Sequence, residues 1–191
     1  MKRINTRNLA ITGILAGLTL LLGLTPLGFI NIPPIAITIM CVPVAVGALL
    51  EGRGVGLVLG FLFGLTSFLS VSPLKDMMLA TNPLATLAVI FIPRLIIPLV
   101  VVAVDKAFAK KSGTALSAGV AAAAGSLTNT VGFLGLFYIL FISSLPDVVT
   151  NVIAAALGIN AIIEIIVAPV LVVPIVSAVR KAVIKKTSDD L

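Results

Sequence analysis

Leu84–Val104 reads LATLAVIFIPRLIIPLVVVAV, a run in which Arg94 is the one charged side chain and Pro93 and Pro98 the two helix breakers. About 20 mostly apolar residues suffice for an α-helix to cross a bilayer. The stretch therefore predicts a membrane span with a guanidinium midway along it. The rest of the chain has the same character. Its 191 residues are 60% hydrophobic and 10% charged, with mean hydropathy +1.27, whereas about a quarter of the residues in soluble domains are charged. That balance excludes a water-soluble enzyme and predicts a single integral-membrane domain, residues 1–191, embedded in a lipid bilayer.

Charges and Pro/Gly clusters divide the whole chain into six apolar stretches: Leu9–Leu24, Ile35–Leu50, Val55–Leu69, Leu84–Val104, Ala115–Phe141 and Ile153–Val179. The fold expected is an all-α bundle of six transmembrane helices. The first stretch follows Lys2, Arg3 and Arg7 as a signal peptide would, but no Ala-x-Ala pattern follows it, so it reads as a retained helix. Six spans put both termini on one side. Eleven of the 13 Lys and Arg residues fall on that side: Lys2, Arg3 and Arg7, Arg53, Lys106, Lys110 and Lys111, and Arg180, Lys181, Lys185 and Lys186. The opposite loops hold only Lys75. Basic loops stay in the cytoplasm, so both termini are expected there.

The net charge of +6 has the same origin. No basic stretch is interleaved with aromatics as a nucleic-acid platform requires, and no nucleic-acid partner is expected. The chain has no histidine and one cysteine, Cys41. Histidine metal sites, Ser-His triads and Cys-His dyads are thereby excluded, and no catalytic residue, metal or cofactor is expected. No G-x-x-x-x-G-K-[ST] loop is present to hydrolyse ATP.

Chemistry rests on the polar residues inside the spans. Arg94 lies in the fourth span, Asn129 between Thr128 and Thr130 in the fifth, and Glu164 in the sixth with Asn160 one turn toward the outside. Because the fifth span runs opposite to its neighbours, all three levels coincide. A charge at the bilayer centre costs about 2.5–3.5 kcal/mol on insertion scales, so Arg94 and Glu164 must face the bundle interior, each other, water or a ligand. Two readings stay open: an Arg94–Glu164 ion pair that fastens two helices, or a polar pocket open to the outside in which Arg94 grips an anion with its planar fork. Pro98 has no N–H for the carbonyl of Arg94, nor Pro169 for that of Ile165, so both can kink helices at this level. The uncharged segment Thr25–Pro34, which contains Asn31, and the segment Ser70–Asn82, closed by the Asn82-Pro83 turn signal, are long enough to cover the pocket. Asn31 and Asn82 join the substrate-binding candidates. Small residues at four-residue spacing (Gly56, Gly60 and Gly64; Gly13 and Gly17; Thr12 and Ala16) let helices approach closely in lipid, within the bundle or against a partner.

The run LTPLGFINIPPIAITIMCVPVAVGALLEGRGVGLVLGFLFGLTSF (Leu24–Phe68), with NPLATL, Pro93-Arg94 and SLTNTVGFLG further on, resembles the S components of energy-coupling factor (ECF) vitamin transporters, and among them the pantothenate-specific branch. The resemblance implies a small membrane subunit of a bacterial, Gram-positive plasma membrane. Such a subunit captures a vitamin from outside and works with a transmembrane T component and two cytosolic ATPases, which use the ATP. It also implies pocket roles for Arg94 and Asn129. Docking on the T component is implied for helix one, where an Ala-xxx-Ala pattern of the family is replaced here by Thr12, Gly13, Ala16 and Gly17. Pantothenate fits the residues, with its carboxylate on Arg94 and its amide or hydroxyls on Asn129 and Thr128. Few aromatics (nine Phe, Tyr138, no Trp) disfavour large stacked rings. Alternatives are another vitamin, such as hydroxymethylpyrimidine, folate or riboflavin, a stand-alone proton- or ion-coupled carrier using Glu164, and a non-transporting membrane scaffold.

Overall fold

The computed structural model describes residues 6–32, 35–141 and 147–189. Seven α-helices run α1 (Thr6–Leu24), α2 (Cys41–Glu51), α3 (Arg53–Leu69), α4 (Pro73–Thr81), α5 (Pro83–Ser112), α6 (Thr114–Phe141) and α7 (Asp147–Asp189). Between α1 and α2 lie a 3₁₀ turn at Pro26–Gly28 and an antiparallel hairpin, β1 (Phe29–Ile32) and β2 (Ile35–Thr38), with Phe29 opposite Thr38 and Ile32 opposite Ile35.

The hairpin corrects the purely helical expectation and shortens the second span. Ile35–Thr38 is strand, and the helix expected from Ile35 starts at Cys41. The physical reason lies in the sequence. Two consecutive prolines, Pro33 and Pro34, supply no backbone donors, and the residue before a proline is pushed toward extended backbone. The isoleucine-rich flanks FINI and IAIT favour the pleated arrangement. A second difference concerns Ser70–Asn82, read from sequence as a loop. Most of it is α4, which starts with Pro73 in its first turn and leaves α3 at 90°.

Among the described residues, three helices are long and apolar enough to cross a membrane: α5 over Pro83–Ala109, α6 over Thr114–Phe141 and α7 over Ala161–Ala182. The bent pair α3–α4 makes a fourth if taken as one element. The apolar parts of α1 (Asn8–Leu24) and α2 (Cys41–Glu51) are shorter. Large apolar side chains such as Ile14, Ile139 and Val170 point outward, as acyl chains rather than water would favour. Single glycines at positive φ, Gly52 (89°) and Gly113 (77°), turn α2 into α3 and α5 into α6. Only a residue without a Cβ enters that region freely.

Two apolar clusters hold the bundle. The larger joins α1, α2, α3, α5, α6 and α7 through residues such as Val44, Leu59, Phe63, Ile97, Ala121 and Val172, all at most 2% exposed. The smaller joins α4 to the N-terminal part of α5 and the C-terminal part of α6 through Met78, Ala85, Val89, Phe137 and Phe141. The glycine row of α3 is consumed in internal packing. A Cβ at Gly56 would meet Pro98 and Ala48, one at Gly60 the Arg94 carbonyl, and one at Gly64 the Phe91 ring. Gly13 and Gly17 on α1 have nothing within 4 Å of a built Cβ.

At the end of the bundle away from the hairpin, Arg180 ties four elements together. Its Nη2 donates to Asp105 Oδ2 (3.3 Å) and the Leu49 carbonyl (3.3 Å). Its Nη1 reaches the Thr114 carbonyl at 3.5 Å, and Ser117 Oγ donates to Asp105 Oδ1 (2.6 Å).

Candidate functional site

The site is built around the Pro93-Arg94 pair in α5. In a continuous helix residue 93 would donate its N–H to the carbonyl of Val89, but proline has none. That carbonyl accepts from Arg94 Nη1 instead, at 3.0 Å. The guanidinium is thereby drawn back along α5. Its carbon lies 5.2 Å from the Phe63 ring centroid and 5.3 Å from that of Phe133, an arrangement that attracts a cation to both ring faces. The Nε of Arg94 is buried with no partner among the described residues.

From α6, Asn129 (6% exposed) and Thr130 come to the same place, and the Asn129 Oδ1 is likewise buried without a partner. From α7 comes Glu164, also 6% exposed. Its Oε1 accepts from the backbone N–H of Thr38 at 3.0 Å, which anchors the end of the hairpin to α7. Among the described residues the ion pairs are Lys75–Asp76 and Arg180–Asp105. Arg94 and Glu164 are therefore not bonded to each other, and the ion-pair alternative is replaced by a carboxylate engaged with the hairpin and a guanidinium engaged with a helix carbonyl.

Arg94, Asn129 and Glu164 open on one cavity of about 620 Å³, within the usual size of small-molecule sites. It lies beside the smaller apolar cluster, whose Met78 faces it. Ile90, Phe133, Leu74 and Met78 supply apolar wall, Thr38 lies at the hairpin end, and Ser67, Ser70, Ser72 and Lys75 line the side formed by the α3–α4 bend.

Lys75 was the lone basic residue of the expected outer loops, and it had no assigned role. Its Nζ donates to the Phe68 carbonyl (2.9 Å) and to that of Ser70, and lies 5.9 Å from the Phe68 ring centroid. These are carbonyls at the end of α3, which the helix itself leaves without donors. Lys75 thus ties α4 to the end of α3 at the cavity wall. In Lys75→Met, amide exchange in Leu74–Thr81 is expected to speed about tenfold, as loss of hydrogen bonds from a charged group implies, while exchange within α5 stays unchanged. Hydrogen-exchange mass spectrometry of the two segments checks this.

The remaining sequence candidates fall elsewhere. Thr128 Oγ1 donates to the Ala124 carbonyl of its own helix at 2.7 Å and is absent from the cavity lining, where Thr130 stands instead. Asn82 is exposed and caps α5, its Oδ1 accepting from the Ala85 N–H at 3.1 Å. The side chains of Asn31 and Asn160 lie outside the described residues. On α1, Gly13 and Gly17 are exposed, Ala16 is half-buried against the larger cluster, and the Thr12 hydroxyl donates to the Asn8 carbonyl at 2.7 Å.

A family model described as "ECF transporter, substrate-specific component" matches residues 7–176. The chain belongs to this family. As an S component it is the substrate-specific membrane subunit of a transporter, which matches its apolar helices. It is 29% identical over 196 aligned positions to the pantothenic acid transporter PanT of Lactococcus lactis subsp. cremoris (strain MG1363), an alignment that covers 95% of this S component and 98% of that protein.

Proposed function

We propose that this S component captures pantothenate from outside the cell and delivers it through a T component driven by two cytosolic ATPases. The observation that carries this reading is a buried guanidinium that lines a small-molecule cavity, with its Nε lacking a partner and no carboxylate paired to it among the described residues. A buried charge left in that condition is costly, and an anionic ligand relieves the cost. The pantothenate carboxylate takes Arg94, the Asn129 Oδ1 accepts from an amide N–H or hydroxyl, and the gem-dimethyl group lies on the apolar wall of Ile90, Met78 and Phe133. Similarity to a pantothenic acid transporter along nearly the whole chain supports the same substrate.

In this reading the chain crosses a Gram-positive plasma membrane six times, with α3 and α4 as one bent span. Both termini are cytoplasmic, as the distribution of basic residues argues, and the cavity opens outward. The open glycines of α1 are the T-component surface, since close helix approach needs small residues.

The reading is tested by titrating the purified protein with pantothenate in a calorimeter without ATP. Saturable one-to-one binding is expected. Absence of binding, or preference for another vitamin, contradicts it. Uptake driven by a proton gradient into vesicles that lack the ATPases would favour a stand-alone carrier.

Glu164 gives a further check. Glu164→Gln keeps an acceptor for the Thr38 N–H and removes a negative charge from the cavity, so pantothenate affinity is expected to rise, roughly threefold for a screened like-charge contact. Glu164→Ala orphans the Thr38 N–H. Its expected effect is a loss of about 1–3 kcal/mol in stability, read as a lower thermal midpoint.

A further inference from the structure

The direction of the Arg94 guanidinium is set by its bond to the Val89 carbonyl of its own helix. We propose that Pro93 is a positioning residue for Arg94: by withholding a backbone donor, it reserves the Val89 carbonyl for the guanidinium and so aims Arg94 at the ligand. This deepens the pantothenate reading and rests on it for the choice of ligands in the binding test.

The Val89 carbonyl is one turn before Pro93, and in an uninterrupted α-helix it would be saturated by the N–H of residue 93. With proline there, the nearest competing donor is removed. Arg94 Nη1 fills the vacancy at 3.0 Å, a bond five residues back that an unbroken helix would weaken by competition. The side chain then lies along its own helix, between the faces of Phe63 and Phe133. That fixes one edge of the fork against the protein and leaves Nε without a protein partner.

The proline is itself seated. A Cβ at Gly132 on α6 would come within 3.0 Å of Pro93 Cβ, so α6 approaches at the ring, one turn from Asn129. One residue on the other side of the same unit acts similarly: Pro98 frees the carbonyl of Arg94, and Gly60 of α3 packs against it. The backbone of Arg94 is thus held by α3 while its side chain is held by Val89.

The test uses Pro93→Ala and Pro93→Val in the full-length protein. Both restore the N–H, and they differ in bulk. Calorimetry is run with pantothenate and with pantothenol, in which an alcohol replaces the carboxylate. If Pro93 acts through Arg94, both variants bind pantothenate about tenfold more weakly, the scale of one charge-assisted hydrogen bond, and bind pantothenol within twofold of wild type. Equal weakening of both ligands, or unchanged pantothenate affinity in both variants, overturns the proposal. A second readout needs no ligand. In protein labelled with ¹⁵N-arginine, the Arg94 guanidinium signals, assigned by their loss in Arg94→Lys, are expected to shift and exchange faster with water in both Pro93 variants. Unmoved signals overturn the proposal. Wild-type protein that binds neither ligand would contradict the pantothenate reading alone, with the guanidinium signals still deciding the role of Pro93.

Discussion

Arg94→Ala is expected to weaken pantothenate binding by at least about 30-fold, while the protein still purifies as a folded monodisperse species. The magnitude follows from removing one member of a buried, desolvated charge pair, which typically costs 2–5 kcal/mol, with each ~1.4 kcal/mol a factor of ten. The substitution also removes the donor to the Val89 carbonyl and the cation between Phe63 and Phe133. Some stability is lost with them, but a buried charge is removed at the same time, so the fold is retained. Arg94→Lys separates charge from geometry. An ammonium keeps the charge but lacks the planar fork, and it cannot reach the Val89 carbonyl and a carboxylate in the same way. Binding intermediate between wild type and Arg94→Ala is expected. Calorimetry gives the affinities, and a thermal unfolding scan in detergent confirms folding. Normal pantothenate affinity in a folded Arg94→Ala protein removes Arg94 from the site.

Gly60→Val should be the most damaging substitution in the glycine row of α3. A Cβ at Gly60 would overlap the Arg94 carbonyl and crowd its carbon. These are backbone atoms, which cannot swing aside as the end of a side chain can. Either α3 or α5 must move at the level of the ligand. Overpacking of this kind costs about 1–3 kcal/mol, and the displaced Arg94 is expected to lower pantothenate affinity more than tenfold, the effect of a shift of about 1 Å in a preorganised site. Gly13→Val and Gly17→Val are the controls. Neither meets an atom within 4 Å, so stability is expected to change by no more than about 0.5 kcal/mol and binding not at all. Their effect should appear only when a T component is present, as weaker co-purification. Thermal scans, titrations and pull-downs of the three variants distinguish these roles. Equal stability of Gly60→Val and Gly13→Val would mean that α3 does not approach α5 as closely as described.

The bundle and the heart of its cavity were legible in the sequence for one reason: polar groups in apolar spans are so expensive that their positions mark where the interior is wet. Arg94, Asn129 and Glu164 were found that way, and the structure brings them to one cavity. The same logic could not assign partners. Burial cost requires that Arg94 and Glu164 be compensated, but not by what, and the Thr38 N–H belongs to a hairpin hidden in a run that hydropathy counts as membrane helix. Isoleucine-rich strands and an apolar helix have the same composition, and only the double proline separated them. The helix α4 escaped because Ser70–Asn82 is neither apolar enough for a span nor patterned over enough turns to show a period. With it went the role of Lys75, whose partners are carbonyls at the end of α3. Thr128 and Thr130 flank Asn129 equally in sequence, and only helical phase separates them: Thr130 lines the cavity, whereas the Thr128 hydroxyl is bonded to the Ala124 carbonyl. That Pro98 leaves the Arg94 carbonyl without its helical donor was readable from spacing. The role proposed for Pro93 was not, because it depends on the direction taken by the Arg94 side chain.

The most direct measurement is an experimental structure of the protein saturated with pantothenate. The account predicts the ligand in the cavity lined by Arg94, Asn129 and Glu164, its carboxylate about 3 Å from Arg94 nitrogens, with Arg94 Nη1 still on the Val89 carbonyl and Glu164 still on the Thr38 N–H. A pantothenate carboxylate held by Lys75 with Arg94 turned away, or an empty cavity at saturating ligand, would contradict it.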